Sequence, residues 1–238
     1  FQSEEANPVL GQRAVRFCLE YEDIFITQIK AILRAAAFGN IKVLIPMISC
    51  VEEIFQVKQV INKAIIELES QDKVFNQDIP LGAMIEIPSA VIMAEEFAKH
   101  VDFFSIGTND LIQYSMAIDR QNRKVAHLYQ AMNPAVLKMI KMTFDAAKKK
   151  GIDLVMCGEM AGDPVAALLL LGMGFDCLSM SAARLSRTKW VIRQFSYAQA
   201  QSLAKDVLEM DNTMMIRNRL ESELENAGLG GLIRAGRT

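Results

Sequence analysis

Three apolar stretches of this chain end in side chains that can do chemistry. One ends in the amide of Asn109 and the carboxylate of Asp110, a second in the carboxylate of Glu86, and a third in the thiol of Cys157. Each stretch is short and rich in apolar residues, a pattern that favours a buried strand. The sequence therefore predicts a functional site built from the ends of several strands.

Glu86 and Asp110 are candidate ligands of a metal ion. In proteins Mg²⁺ is usually held by one or two carboxylates, with substrate oxygens and water completing the shell. Either residue taken alone could instead cap a helix or pair with a surface lysine or arginine. Their shared position at the ends of neighbouring predicted strands favours Mg²⁺ as the cofactor.

Cys157 is a candidate catalytic group because it lies in a turn that leads from a predicted strand into a predicted helix. A thiol near a helix N-terminus can move a proton or act as a nucleophile. A lone cysteine after an apolar run is more often a small core residue, and we interpret Cys18, Cys50 and Cys177 in that way. For Cys157, the Gly-Glu pair that follows and the helix start at Asp163 favour the functional interpretation.

Three arginines, Arg13, Arg16 and Arg120, could grip a phosphate or carboxylate through the planar donor fork of the guanidinium. Most arginines are solvated surface residues, so these three do not by themselves indicate a site. His100 and His127 are predicted to be structural, because neither has another candidate ligand as a sequence neighbour.

The composition excludes several classes of function. With 238 residues, 51% of them hydrophobic, the chain can bury a full core. A net charge of −2 and the lack of a basic block argue against nucleic acid or a membrane as the partner. The longest apolar stretch, residues 165–175, contains two glycines and is shorter than the ~20 residues that span a bilayer. We therefore expect a small polar ligand.

The cysteines indicate the cellular location of the protein, and the first residues indicate whether the chain is part of a longer one. Its 4 cysteines are scattered and form no CxxC pair, which argues against zinc and favours a reducing, cytoplasmic location. The chain begins at Phe1 with neither an initiator methionine nor a secretory signal. We therefore expect it to be part of a longer protein.

Short apolar runs alternate with helical patterns, as in βα units around a parallel sheet. Strands are predicted near residues 41–47, 81–87, 101–106, 152–157 and 177–180.

Helices are predicted from apolar periods and capping residues. A helical period covers residues 51–68. Asn133-Pro134 and Asp163-Pro164 each place a capping side chain before a proline, which predicts two helix starts, and Gly151 should end the first of these helices. The chain after Ser181 is predicted as three helical pieces, followed by a glycine-rich tail at 228–236.

The predicted fold is an α/β barrel of the (β/α)₈ TIM type, whose active site lies at the carboxyl ends of the strands. About five strands are predicted against the eight of a closed barrel. Either some strands of this chain have no recognisable sequence pattern, or the first units of the barrel lie upstream of Phe1. We expect the second, a barrel truncated at its N-terminal units. Residues 1–195 are predicted as the C-terminal portion of the barrel, and 196–238 as C-terminal helices and tail of the same domain.

Three motifs stand out in the chain: Asn7-Pro8 with Leu10-Gly11 and Arg13, the run Phe103 to Leu111 with Gln113-Tyr114, and the run Cys157 to Pro164. Together they resemble enzyme I of the phosphoenolpyruvate (PEP)-dependent phosphotransferase system. Segments 170–174 and 178–181 extend the match, and the closing run 229–234 is similar to the tail of the nitrogen-branch paralogue, which also has an N-terminal GAF sensor domain.

The resemblance implies the PEP-binding part of a phosphotransferase. Such a protein transfers a phosphoryl group from PEP to its own histidine, releases pyruvate, and passes the group to a histidine-containing phosphocarrier protein. The resemblance also implies a homodimer. The implied residues are Glu86 and Asp110 for Mg²⁺, Arg13, Arg120 and Asn109 for the substrate, and Cys157 as the acid that protonates the enolate carbon.

Some features depart from the family. Gln12 stands where the family usually has tryptophan, and Ile112 where it usually has threonine. The phosphorylated histidine of the family belongs to a domain that would lie upstream of Phe1, and neither His100 nor His127 lies in a comparable motif. Residues 1–238 alone are therefore expected to be inactive.

Two alternatives remain open. One is a PEP synthase or pyruvate phosphate dikinase, which share the barrel chemistry but add a nucleotide-dependent phosphorylation. The other is a non-catalytic barrel that senses PEP and regulates a partner. The presence of a candidate proton donor, Cys157, argues against a pure sensor, which needs none.

Overall fold

The computed structural model describes residues 5–231, which divide into two compact units. The first unit comprises residues 5–104 and 146–153, and the second comprises residues 105–145 and 154–231. The boundaries between the units fall after residues 104, 145 and 153, which lie in a strand, a helix and a second strand.

The first unit contains two complete parallel strands and the beginning of a third. β1 (Val43–Ile45) pairs with β2 (Leu81–Ile85), with Val43 opposite Leu81. The start of β3 (Phe103–Gly107) lies next to β2, where Asp102 donates its N–H to the carbonyl of Leu81 at 2.7 Å. The helices of this unit are α1 (Val15–Glu20), α2 (Glu22–Ala36), α3 (Val51–Ser70), α4 (Pro88–Ile92) and α5 (Ala94–Phe97).

The helical period of residues 51–68 is confirmed by α3, which runs on to Ser70. Its buried residues, which include Ile54, Val57 and Leu68, lie three or four positions apart and form one apolar face. This face packs against α2, whose Ile29 and Leu33 are almost fully buried. Burial of the two facing apolar surfaces stabilises the packing of α2 against α3.

The second unit contains the rest of β3 and, next to it, most of β4 (Asp153–Cys157). One central helix consists of apolar residues on every side, and all but two of them are buried. Asp163 caps the start of that helix by accepting the N–H of Val165 at 2.9 Å. The helices are α6 (Thr108–Ser115), α7 (Pro134–Lys150, whose last turns belong to the first unit), α8 (Pro164–Met173, the central one), α9 (Ala182–Gln194), α10 (Tyr197–Leu208) and α11 (Thr213–Asn226).

α8 packs against α9, α10 and α11, and its contact with α10 is especially close. A Cβ atom at Gly172 of α8 would lie 2.0 Å from the carbonyl oxygen of Ala200 in α10. Only glycine allows the two backbones to approach in this way. The three helical pieces predicted after Ser181 are confirmed by α9, α10 and α11.

The alternation of strands and helices confirms the predicted α/β class, and four of the five predicted strands are present. The fifth, predicted at 177–180, is wrong: in the described residues this segment forms a single parallel bridge between Met156 and Leu178. The N–H and carbonyl of Met156 make two bonds to it, of 3.0 and 2.8 Å. No further pairing of this segment occurs in the described residues, and Asp176 and Cys177 are exposed to solvent.

The four strands do not close into a barrel within residues 5–231. The predicted division at residue 195 stays a prediction. Most of the glycine-rich tail, residues 232–236, lies outside the described part of the chain. None of the helices in the described part combines the length and the apolar character needed to cross a membrane.

Candidate active site

A cluster of polar side chains lies in the second unit, where β3 and β4 end. β3 runs directly into α6, so that Asn109 and Asp110 lie in the first turn of that helix. A carboxylate in the first turn interacts favourably with the helix dipole. Thr108 donates its hydroxyl to the carbonyl oxygen of Cys157 at 3.1 Å and thereby ties the two strand ends together.

Cys157, the predicted proton donor, is the last residue of β4 and is half-buried. Its Sγ–H donates to the carbonyl oxygen of Ile106 at 3.1 Å, and its Sγ accepts the hydroxyl of Ser105 at 3.2 Å. Both contacts come from β3. The thiol is therefore held in one orientation by the neighbouring strand.

Gly158 makes the turn that follows the thiol possible. Its φ of +88° is unfavourable for any residue with a side chain, and a Cβ atom would lie 2.4 Å from the hydroxyl oxygen of Thr108. The turn brings the N–H of Glu159 to the side-chain oxygen of Asn109, at 3.2 Å. Asn109 and Cys157 are thus linked through only two residues.

Substitution of Gly158 by alanine is expected to destabilise the turn that follows Cys157. Gly151 is a control for the positive φ alone: its φ is +69°, but a Cβ atom there would meet nothing within 4 Å. Gly151→Ala should cost only the backbone strain, about 1–2 kcal/mol. Gly158→Ala should lower the free energy of unfolding by about 1–3 kcal/mol more, because Thr108 must move and because the ψ of Gly158, −177°, lies in a region essentially restricted to glycine. Urea denaturation of both variants measures this difference, and equal losses would contradict the close approach.

Tyr129 joins the cluster from the loop between α6 and α7. Its hydroxyl donates to the side-chain oxygen of Asn109 at 3.4 Å, and the charge of Arg120 acts on it electrostatically. Burial raises the pKa of Tyr129 to about 12; the positive charge of Arg120 opposes this rise, whereas Glu159 and Asp110 add to it. At neutral pH the hydroxyl is therefore protonated and can act as a donor.

Gln113 connects two of the predicted site residues. Its amide nitrogen lies 3.4 Å from a carboxylate oxygen of Asp110, and its amide oxygen accepts the backbone N–H of Arg120 at 3.1 Å. Gln113 is buried, Asp110 is half-buried and Arg120 is exposed, so both bonds are only partly shielded from water. It therefore fixes the start of the Arg120 loop relative to α6.

Glu86 and Arg13 belong to the first unit. Glu86 follows β2, is only 4% exposed, and accepts the N–H of Met47 at 2.7 Å. A buried carboxylate needs such partners to offset its lost hydration. Arg13 is half-buried in the segment before α1. Arg16, the third candidate arginine, donates to the carbonyls of Leu10 and Gly11 at 3.1 and 3.3 Å and so supports the preceding turn.

Strained backbone adjoins several of these residues. In the described part of the chain, positive φ values at non-glycine residues occur at Ala14, Met47, Asp72 and Ala117. Ala14 follows Arg13, Met47 binds Glu86, and Ala117 lies three positions before Arg120. Such conformations cost about 1–3 kcal/mol each and cluster at functional sites. Of the four, Ala14, Met47 and Ala117 are near a predicted site residue in sequence or bind one, and Asp72 is not.

The remaining cysteines and the histidines lie outside the cluster. Cys177 is exposed, and burial raises the pKa of the Cys18 and Cys50 thiols. The ring of His100 packs on Phe55 with a centroid separation of 4.8 Å. His127 is exposed in a single 3₁₀ turn, Ala126–Leu128.

The second unit thus brings together four predicted site residues, Asn109, Asp110, Arg120 and Cys157. Sequence reasoning missed Tyr129, for which no local signal exists. It also assigned no function to Gln113 and Ser105, although both occur in the motifs quoted above. Within residues 5–231, no group of three or more His, Cys, Asp or Glu side chains could hold a metal ion by itself.

An α/β fold with donors, a carboxylate and a thiol at its strand ends defines a class of enzyme domains that bind small anionic substrates. Comparison with known proteins identifies the family. Residues 2–197 match the family described as PEP-utilising enzyme, PEP-binding domain, and the chain belongs to this family. The resemblance to enzyme I is confirmed at this level, whereas the nitrogen-branch assignment stays a prediction.

Several curated relatives are named phosphoenolpyruvate-protein phosphotransferase. The relative from Priestia megaterium is 47% identical over 210 residues, which are 88% of this chain and 37% of the relative. That from Mycoplasma capricolum is 44% identical over 223 residues, 94% of this chain and 39% of the relative. An Escherichia coli K12 protein named phosphoenolpyruvate-dependent phosphotransferase system is 42% identical over 236 residues, 98% of this chain and 31% of the relative. The chain thus spans less than half the length of these relatives.

A solved structure supports the barrel fold. A citrate lyase from Burkholderia xenovorans LB400 superposes with a TM-score of 0.52 at 15% identity, over 85% of this chain and 69% of that chain. This similarity shows the fold alone. The predicted TIM-type class is confirmed, with the barrel left open in residues 5–231.

Proposed function

We propose that this chain binds PEP and Mg²⁺ and supports transfer of the phosphoryl group to a histidine of an upstream domain, with release of pyruvate. The observation that carries the proposal is the cluster of Asn109, Arg120 and Cys157 at the ends of β3 and β4. Membership of the PEP-binding family supports the choice of substrate.

The donors of the cluster suit an anion with a phosphate group. Phosphoryl transfer depends mainly on positioning and on neutralising the charge of the phosphoryl oxygens. Arg120 supplies a positive charge with several donors, and Tyr129, whose hydroxyl bonds to Asn109, orients the Asn109 amide. The Oδ1 of Asn109 accepts the bonds from Glu159 and Tyr129, so its Nδ2 is the atom we expect to meet a phosphate oxygen. Arg13 is proposed as a further contact to the substrate.

Cys157 has the chemistry of a general acid. Transfer of the phosphoryl group from PEP breaks the bond between phosphorus and the enol oxygen and leaves the enolate of pyruvate. The Sγ–H of Cys157 would deliver its proton to the terminal carbon of that enolate. Pyruvate then forms, and the sulfur is left as a thiolate that regains a proton from water.

Glu86 and Asp110 are proposed as the Mg²⁺ ligands. Carboxylate oxygens are ligands that Mg²⁺ prefers, and the ion commonly takes only one or two of them. Because no cluster of three candidate ligands occurs in the described residues, substrate oxygens and water would supply the rest. When bound, the ion supplies positive charge to the transferring phosphoryl group.

The partners belong to the same proposal. The family resemblance implies a histidine-containing phosphocarrier protein that accepts the phosphoryl group, and a homodimer. The nitrogen branch, a cytoplasmic location and the inactivity of the isolated chain are predictions of the sequence alone.

A turnover experiment with the full-length protein tests the proposed function. PEP labelled in the phosphoryl group is supplied with Mg²⁺, with and without the purified phosphocarrier, and in the absence of nucleotide. We expect one equivalent of pyruvate without the carrier and continued turnover with it. Pyruvate release that requires a nucleotide would favour the PEP synthase or dikinase class. Binding of PEP without any pyruvate would favour a sensor.

A further inference from the structure

Ser105 is an unusual residue for its position. It lies in β3 between Phe104 and Ile106, which are fully buried, and is itself 3% exposed. A hydroxyl buried without a partner is unfavourable. In this structure the hydroxyl donates to the Sγ of Cys157 at 3.2 Å. The buried serine and the thiol are therefore a matched pair from neighbouring strands.

We propose that Ser105 is a positioning residue for proton transfer from Cys157. The proposal rests on the proposed function, in which Cys157 is the general acid. Ser105 acts through the sulfur and does not contact the reacting carbon.

Two contacts of the thiol, with Ile106 and Ser105, favour opposite charge states. The carbonyl oxygen of Ile106 accepts the S–H at 3.1 Å, which favours the protonated thiol. When the proton leaves, this oxygen faces a negatively charged sulfur and repels it. The O–H of Ser105, in contrast, becomes a charge-assisted donor, and such hydrogen bonds are about twice as strong as neutral ones.

An interaction that strengthens as the reaction proceeds lowers the barrier of that step. Ser105 offers such an interaction as negative charge develops on the sulfur. The hydroxyl also limits the rotation of the thiol, so that its proton keeps one direction. Loss of Ser105 should therefore slow proton delivery without removing any group that holds the substrate.

The first test measures the thiolate directly in the full-length protein without PEP or Mg²⁺. The alkylation rate of Cys157 by iodoacetamide is followed against pH and resolved by peptide mass spectrometry. In Ser105→Ala we expect the midpoint of this profile to move up by about one pH unit, with rates about tenfold lower below it. The exposed Cys177 serves as an internal reference and should not change.

Ser115→Ala is the matched control. Ser115 also donates to a sulfur atom in the same unit, that of Met139 at 3.4 Å, but a thioether does not ionise. This variant should leave the Cys157 profile unchanged. Ser105→Thr retains a hydroxyl at the key position and should restore the profile.

The second test is turnover with PEP and the phosphocarrier. Ser105→Ala should lower kcat about tenfold and leave KM for PEP within about twofold, because a general acid acts in the chemical step. An alkylation profile equal to that of the parent protein, or one shifted equally by Ser115→Ala, would overturn the proposal. So would a shifted profile with an unchanged kcat. Undiminished turnover in Cys157→Ala would instead refute the general acid itself, and so identifies a failure of the proposed function.

Discussion

Replacement of Cys157 by alanine in the full-length protein is expected to slow net phosphotransfer at least about 10²-fold, the lower end for loss of a general acid. PEP binding should remain largely intact. The physical reason is that the thiol would act on the enolate carbon after the phosphoryl group has begun to leave, whereas Arg120 and Asn109 would hold the substrate.

Two further variants test whether the effect is specific to Cys157 and whether it depends on the acidity of the thiol. Cys177→Ala removes an exposed thiol from the same unit and should leave turnover unchanged. Cys157→Ser keeps the approximate shape but offers a much weaker acid, so its rate should resemble that of the alanine variant. Calorimetry gives the affinity for PEP and a coupled pyruvate assay gives the rate. Turnover of Cys157→Ala at the level of the parent protein would mean that Cys157 is a small core residue.

Substitution of either proposed metal ligand is expected to abolish the dependence of PEP affinity on Mg²⁺. Loss of a residue that only supports a metal ligand already costs about 10–100-fold in metal affinity, so loss of a ligand should cost at least as much. Glu86→Gln and Asp110→Asn are the suitable variants. Glutamine can still accept the N–H of Met47, whereas alanine would leave that buried group without its acceptor, at about 1–3 kcal/mol.

Carboxylates outside the site provide the controls. Glu95 and Asp145 form surface ion pairs with Lys149 and Lys141, and such pairs contribute little to stability. Glu95→Gln and Asp145→Asn should bind PEP and Mg²⁺ as the parent protein does. The affinity for PEP is measured by calorimetry over a range of Mg²⁺ concentrations. An unaltered Mg²⁺ dependence in Glu86→Gln or Asp110→Asn would remove that residue from the metal site.

Most of the secondary structure was predictable because its signals are local. The apolar period at 51–68 predicts α3, and the Asp163-Pro164 pair predicts the start of α8. The prediction at 177–180 failed for a non-local reason. A short apolar run becomes a strand only where a neighbouring strand offers enough backbone partners, and this run meets only Met156.

The candidate site was partly predictable for the same reason. Asn109, Asp110 and Cys157 stand where predicted strands end, so their pattern was visible in the sequence. Arg120 was a candidate from its residue type alone, and the family resemblance added a role in substrate binding. Tyr129 could not be found, because nothing in its neighbourhood predicts that its loop returns to Asn109, 20 residues away.

The sequence by itself determined four of the five predicted strands and the helices with a clear apolar period or cap, that polar groups follow the strands, and which family the motifs resemble. Those properties depend on neighbours a few positions apart. Only the tertiary structure decided that the thiol of Cys157 meets Ser105 and Ile106, about fifty residues earlier in the chain. Such contacts arise because β3 and β4 lie side by side, and parallel neighbours bring their carboxyl ends to the same edge of a sheet.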